Sequence, residues 1–130
     1  LVNASYTLVG NTAPTDVAGN AGKLNSLNVG VNFSSQTITR YDLNATVAGT
    51  TWDAHLAGGP ASLSNFTNPQ VAGGANGIAL TGTCSPGCGA GPVTGSARGT
   101  FTGNQAQGMI TSYQLQSGSN GIVGVAALKR

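Results

Sequence analysis

The chain is 130 residues long, with 6% charged residues, a net charge of +2, no glutamate and 21 glycines. That length suits one domain, residues 1–130, with a modest core. Lys23, Arg40, Arg98, Lys129 and Arg130 are too dispersed, among too few aromatics, to make a nucleic-acid surface. A hydrophobic content of 39% in regular alternation excludes a disordered chain, and no apolar run is long enough to cross a bilayer as a helix.

Solubility then rests on Asn, Thr, Ser and Gln, a surface chemistry that suits strands better than helices laced with ion pairs. Leu1 stands where an initiator methionine would, with no charged and apolar leader, which predicts a processed or excised chain. In chain order, "NASYTLV" puts Ala4, Tyr6 and Leu8 on one face, and "LNSLNVGVNF" does the same with Leu27, Val29, Val31 and Phe33. "RYDLNATVAG" alternates Tyr41, Leu43, Ala45 and Val47 with polar residues. "TTWDAHLAG" turns Trp52, Ala54 and Leu56 inward and leaves Asp53 and His55 outside. "FSSQT" and "AGTT" read as the hairpin turns between these strands.

The middle stretch, residues 58–77, is rich in glycine and carries Pro60 and Pro69, which predicts a long loop with at most a short edge strand at Leu63 to Phe66. Alternation then resumes in "GIALTGT", in "PVTGSARGTF" with Val93, Gly95, Ala97, Gly99 and Phe101 inward, and in "GMITSYQL" with Met109, Thr111, Tyr113 and Leu115 inward. The closing "GIVGVAALKR" is apolar at nearly every position, so its period leaves the inner face open. The reading is an all-β antiparallel barrel of about eight strands, with the long Gly/Pro-rich loop between its two halves. Inward glycines at 95 and 99 favour a barrel over a sandwich, because they permit sharp coiling. The first and last strands either pair with each other and close the barrel or pair with the edge of a neighbouring copy.

Cys84 and Cys88 are the only cysteines and are separated by Ser85, Pro86 and Gly87, all turn formers. A disulfide across such a hairpin neck closes a loop of about five residues, worth about 2 kcal/mol on the chain-entropy model. Zinc needs four ligands, and beyond these cysteines the chain offers one histidine, His55, on another strand. A thioredoxin-type motif has two intervening residues at a helix start, not three in a turn. A bonded pair implies an oxidising compartment: periplasm, cell surface or medium.

Little else reads as chemistry. The carboxylates are Asp16, Asp42 and Asp53, the last two outward on neighbouring strands, and there is no nucleophile elbow and no phosphate-cradling glycine loop followed by lysine. Trp52 reads as a core anchor. Sequons occur at Asn3, Asn32, Asn44 and Asn65, a number that a chain so rich in Asn and Thr reaches by chance. No catalytic residue, metal site or cofactor is expected.

Residues 6–52, from "YTLVGN" to "AGTTW", and residues 95–130, from "GSARGTF" to "AALKR", resemble the C-terminal domain of bacterial FecR-domain-containing envelope proteins. That domain is similar in turn to the small β-barrel of transferrin-binding protein B and related surface lipoproteins. The resemblance is carried by Gly99, Phe101 and Gly103 with Ala106 and Gly108, by the Tyr113 strand and by the closing run from Gly124 to Lys129. It implies a barrel that serves as a handle or scaffold, with ligand contacts in its loops.

Two functions follow as expectations. The first is a non-enzymatic extracellular structural or interaction module that assembles with copies of itself or with a larger envelope protein, as in a fibre, coat or adhesin. The second, implied by the resemblance, is a surface binding module for an iron carrier, haem or a host protein, although no Cys, His and Tyr cluster suited to haem is visible.

Overall fold

The computed structural model describes residues 2–68, 77–86, 88 and 91–130. Ten strands and one short helix occur among them: β1 (Asn3–Asn11), β2 (Thr15–Asp16), β3 (Lys23–Asn32), β4 (Thr37–Val47), β5 (Thr50–Leu56), β6 (Ala61–Ser62), α1 (Leu63–Thr67), β7 (Ile78–Ser85), β8 (Val93–Thr102), β9 (Gly108–Ser117) and β10 (Asn120–Lys129). Eight of the strands form a closed antiparallel barrel in the order β1-β3-β4-β5-β7-β8-β9-β10, and β1 pairs with β10 to complete it. Thr7 faces Lys129 and Leu8 faces Leu128 across that seam. Of the two fates open to the terminal strands, closure within one chain is the one adopted. The two strands outside the barrel, β2 and β6, are two residues each, and edges that short offer little template for another chain.

Alternation builds the interior. Tyr6, Leu27, Val29, Tyr41, Leu43, Ala45, Trp52 and Ala54 are all at or near zero exposure and belong to one cluster with Met109, Tyr113 and Leu115, as the period of two requires. Phe33 and Phe101 are half-buried against the same core. Bulges interrupt the alternation. The register of β3 against β4 shifts between Leu24 and Ser26, so that Asn25 and Ser26 both face out while Leu24 and Leu27 both face in. A second shift leaves Thr39 unpaired, and a third, in β1, leaves Val9 unpaired with β10, exposed on the same face as Ser5 and Thr7. On β10, Ile122, Ala126 and Leu128 are buried and Val123 and Val125 are exposed, which settles the face that composition left open.

The expected edge strand at Leu63 to Phe66 is a helical turn instead, and pairing with β4 is confined to Ala61 and Ser62 just before it. The physical reason lies in the unequal strands. β5 covers β4 only from Leu43 to Val47, and β7 covers β8 only from Val93 to Ala97, which leaves the wall open between the other ends of β4 and β8. In that opening α1 turns Leu63 and Phe66, three apart, to the same buried side. The Phe66 ring lies 6.2 Å from that of Tyr41 and rests on Gly99, where a Cβ would come within 2.5 Å of it. Gly99 is thus a seat for a plug. The part of the Gly/Pro-rich loop at 69–76 lies outside the described residues.

Candidate functional site

The barrel has two rims. One gathers the β4–β5 and β9–β10 turns with the β7–β8 connection, where Cys84 is bonded to Cys88. Cys84 is the last inward residue of β7, opposite Trp52, and the Thr50 hydroxyl donates to the Pro86 carbonyl at 2.8 Å, tying the connection to β5. The bond therefore staples a turn onto a wall that other contacts already hold. Gly87 and residues 89–90, beside Cys88, lie outside the described residues.

The acidic residues and the histidine stay apart. Asp16 folds its own loop, accepting bonds from the Asn20 side chain and from the backbone of Asn20 and Ala18, and those bonds hold its carboxyl below the usual range. Asp42 pairs with Arg40 on the outer surface of β4. Asp53 and His55 are exposed on β5, next to Thr83 and Thr81 of β7. Among the described residues no three His, Cys, Asp or Glu side chains gather as metal ligands. Trp52 is fully buried, as a core anchor is. No helix among the described residues is long and apolar enough to cross a membrane. Of the sequon asparagines, Asn3 and Asn65 are exposed and Asn32 and Asn44 are half-buried.

Hydroxyls meet inside the barrel. Thr111 donates its single proton to the Arg98 carbonyl at 2.7 Å, so the Tyr41 hydroxyl, 2.9 Å away, must be the donor to Thr111. Burial pushes the Tyr41 phenol far above its ordinary range and raises that of Tyr113 to about 12. The Tyr113 hydroxyl is buried without a hydrogen-bond partner and lies across Gly124, directly opposite on β10, where any side chain would collide with it.

Two surface features stand out from the polar wall. On β9, β10 and the β1 bulge, Ile110, Val123, Val125 and Val9 are each at least 41% exposed. A groove of about 610 Å³ runs over this face, bounded by Thr12 and Ala13 on one side and by Ser96 and Arg98 on the other. A second of about 380 Å³ continues past Arg98 and Ile110 to Phe66 and Asn68. The period of two could have found Val123 and Val125 had the inner face of β10 been known.

The other feature is at the second rim, where the β3–β4 and β8–β9 turns meet the start of β1 and the end of β10. There Phe33, Gln105, Ala106 and Arg130 line an open pocket of about 470 Å³. Phe101 backs it, its ring 5.4 Å from Phe33 and 5.8 Å from Tyr6. No sequence signal marks this group, because Phe33 and Arg130 come together only when the barrel closes.

No family model, no curated protein and no solved structure matches this chain.

Proposed function

We propose that the chain is a non-enzymatic extracellular interaction module: a closed, rigid barrel that docks through the outer face of β9 and β10 onto copies of itself or onto a larger envelope protein. The observation that carries this reading is the row of Ile110, Val123 and Val125, joined by Val9, exposed on a barrel whose surface is otherwise dominated by amides and hydroxyls. β-Branched side chains gathered on one exposed face favour burial against a partner, and a net charge of only +2 offers weak electrostatic opposition to contact between copies. Because β1 and β10 are paired with each other, assembly proceeds by wall-to-wall contact and not by strand exchange. The Cys84–Cys88 bond supports an oxidising location, at the cell surface or in the medium or periplasm. The resemblance to envelope-protein barrels of the transferrin-binding protein B type supports the same setting.

Sedimentation velocity over a concentration series, on the parent and on a Val123→Asn, Val125→Asn variant, tests the docking face. Association by the parent that the variant loses, with melting temperature unchanged, is the expected result. A parent that stays monomeric at the highest concentrations and at the cell surface removes self-assembly and promotes the alternative, a surface binding module for an iron carrier, haem or a host protein. In such a module the contacts would lie on a rim, since Trp52, Tyr41, Phe66 and Tyr113 fill the interior.

A further inference from the structure

The Phe33 rim sets a guanidinium beside an aromatic ring. Its backbone frame is fixed from three sides. The Tyr6 hydroxyl donates to the Ala106 carbonyl at 2.6 Å, the Arg130 amide donates to the Gln107 carbonyl at 3.0 Å, and the Gln105 amide donates to Gln107 Oε1 at 3.1 Å. Those bonds occupy the Ala106 and Gln107 carbonyls and Gln107 Oε1. Facing the pocket, the Arg130 guanidinium and the Gln105 side-chain NH2 are donors with no acceptor among the described residues. All three side-chain carboxylates are engaged or distant, Asp16 in its own loop, Asp42 with Arg40 and Asp53 on the outside of β5. The guanidinium is close enough to the Tyr6 hydroxyl to favour its ionised form, against the larger opposing effect of burial. Beneath it, the half-buried ring of Phe33 makes an aromatic floor, backed by the Phe101 ring inclined at 53° to it.

A guanidinium fork matches a carboxylate with two parallel hydrogen bonds, and a phenyl floor takes a flat apolar body. About 470 Å³ is the size of a small-molecule site. We propose that the rim formed by Phe33, Gln105, Ala106 and Arg130 binds a small aromatic carboxylate, its ring on Phe33 and its anion on Arg130 and Gln105. The site is independent of the β9–β10 docking face, so either can fail without the other.

The test uses 2-naphthoate as the probe and the neutral 2-naphthalenemethanol as its control, titrated into the ¹⁵N-labelled chain and followed by NMR and calorimetry. Saturable binding of naphthoate is expected, with shifts centred on Gln105, Ala106 and the Arg130 side chain. Arg130→Gln should weaken it by about tenfold or more, as loss of a charge-assisted pair does, while leaving the weaker binding of the neutral control unchanged. Phe33→Leu, which retains apolar volume, should weaken both probes severalfold without altering the melting temperature. Equal affinity for the two probes, indifference to Arg130→Gln, or shifts centred on Val123 and Val125 would each overturn the proposal.

Discussion

The outer wall over β3, β4 and β5 and the outer wall over β9 and β10 enclose the same core but meet water differently. On the first, the Asn25 amide, turned out by its bulge, donates to Asn44 at 2.8 Å and to Thr46 at 3.0 Å, and Thr46 lies 3.3 Å from the Thr51 hydroxyl. Polar side chains are linked across three strands. On the second, Val123 and Val125 face outward with Gly124 between them, and Ile110 stands on the adjoining strand. An amide and hydroxyl ladder keeps its own hydrogen bonds and offers a partner little new, whereas exposed isopropyl groups gain about 25 cal/mol for every Å² a partner covers. The contrast teaches that a chain with very few charges can still differentiate its faces, using β-branched alkyl groups against amides.

Changes to the shared core should erase the contrast by removing both walls together. Trp52→Ala is expected to cost about 3 to 5 kcal/mol, the range for a large buried aromatic, and urea unfolding should show one transition moved to lower denaturant with both faces lost in it. Alkali probes the two sides from within, since Tyr41 stands behind the polar wall and Tyr113 behind the apolar one. Both folded-state values are raised above the unfolded value of about 10, so the stability they contribute is complete below that pH and is lost as pH rises through the folded values, near 12 for Tyr113 and higher for Tyr41. Absorbance of tyrosinate and circular dichroism should therefore change together above the ordinary tyrosine range. In a Tyr6→Phe background, where only these two phenols remain, tyrosinate appearing near pH 10 with the barrel intact would contradict the burial of these rings.

Smaller perturbations should separate the regions. Gly99→Val drives side-chain atoms into the Phe66 ring, and a loss of about 1 to 3 kcal/mol is expected from overpacking. Pairing it with Phe66→Leu should recover part of that loss in a double-mutant cycle, because the two groups share one space. Reducing Cys84–Cys88 should cost about 2 kcal/mol at most and leave both walls folded, as thermal melts with and without reductant would reveal. Least of all, Val125→Thr on the apolar wall and Asn25→Ala on the polar one should each stay within about 0.5 kcal/mol of the parent. Only the first should change association in sedimentation.

Much of this architecture was legible from the period of two. Tyr41, Leu43, Ala45 and Val47 alternate with polar neighbours, and all four are buried. Where the reading fell short, the cause is specific. A bulge such as that at Asn25 shifts the parity of a strand without changing its composition, so Leu24 and Leu27 look out of step although both face inward. The stretch from Leu63 to Phe66 reads as loop with at most a short edge strand, but the spacing of three between those two residues, the one available sign of a helical turn, suits the plug they form. The closing strand was ambiguous because apolar residues occupy both of its faces. The rim around Phe33 and Arg130 was invisible, since its members are far apart in the chain and share no motif.

The seam between β1 and β10 also bears on how the molecule comes into being. Each of the other seven junctions in the wall joins strands that follow one another along the chain, apart from the two-residue β2 and β6, whereas the seam joins residues 7–11 to 126–129. Contacts so distant in sequence carry the largest loop-closure entropy and reward it only once the intervening strands are in place. During synthesis β1 emerges before the other strands of the barrel and waits for its neighbour on that side until β10 is available. For that interval the nascent chain is a curved, open sheet with a naked N-terminal edge. The moment of greatest exposure to misassembly thus falls before the barrel exists, and the final hairpin ends it.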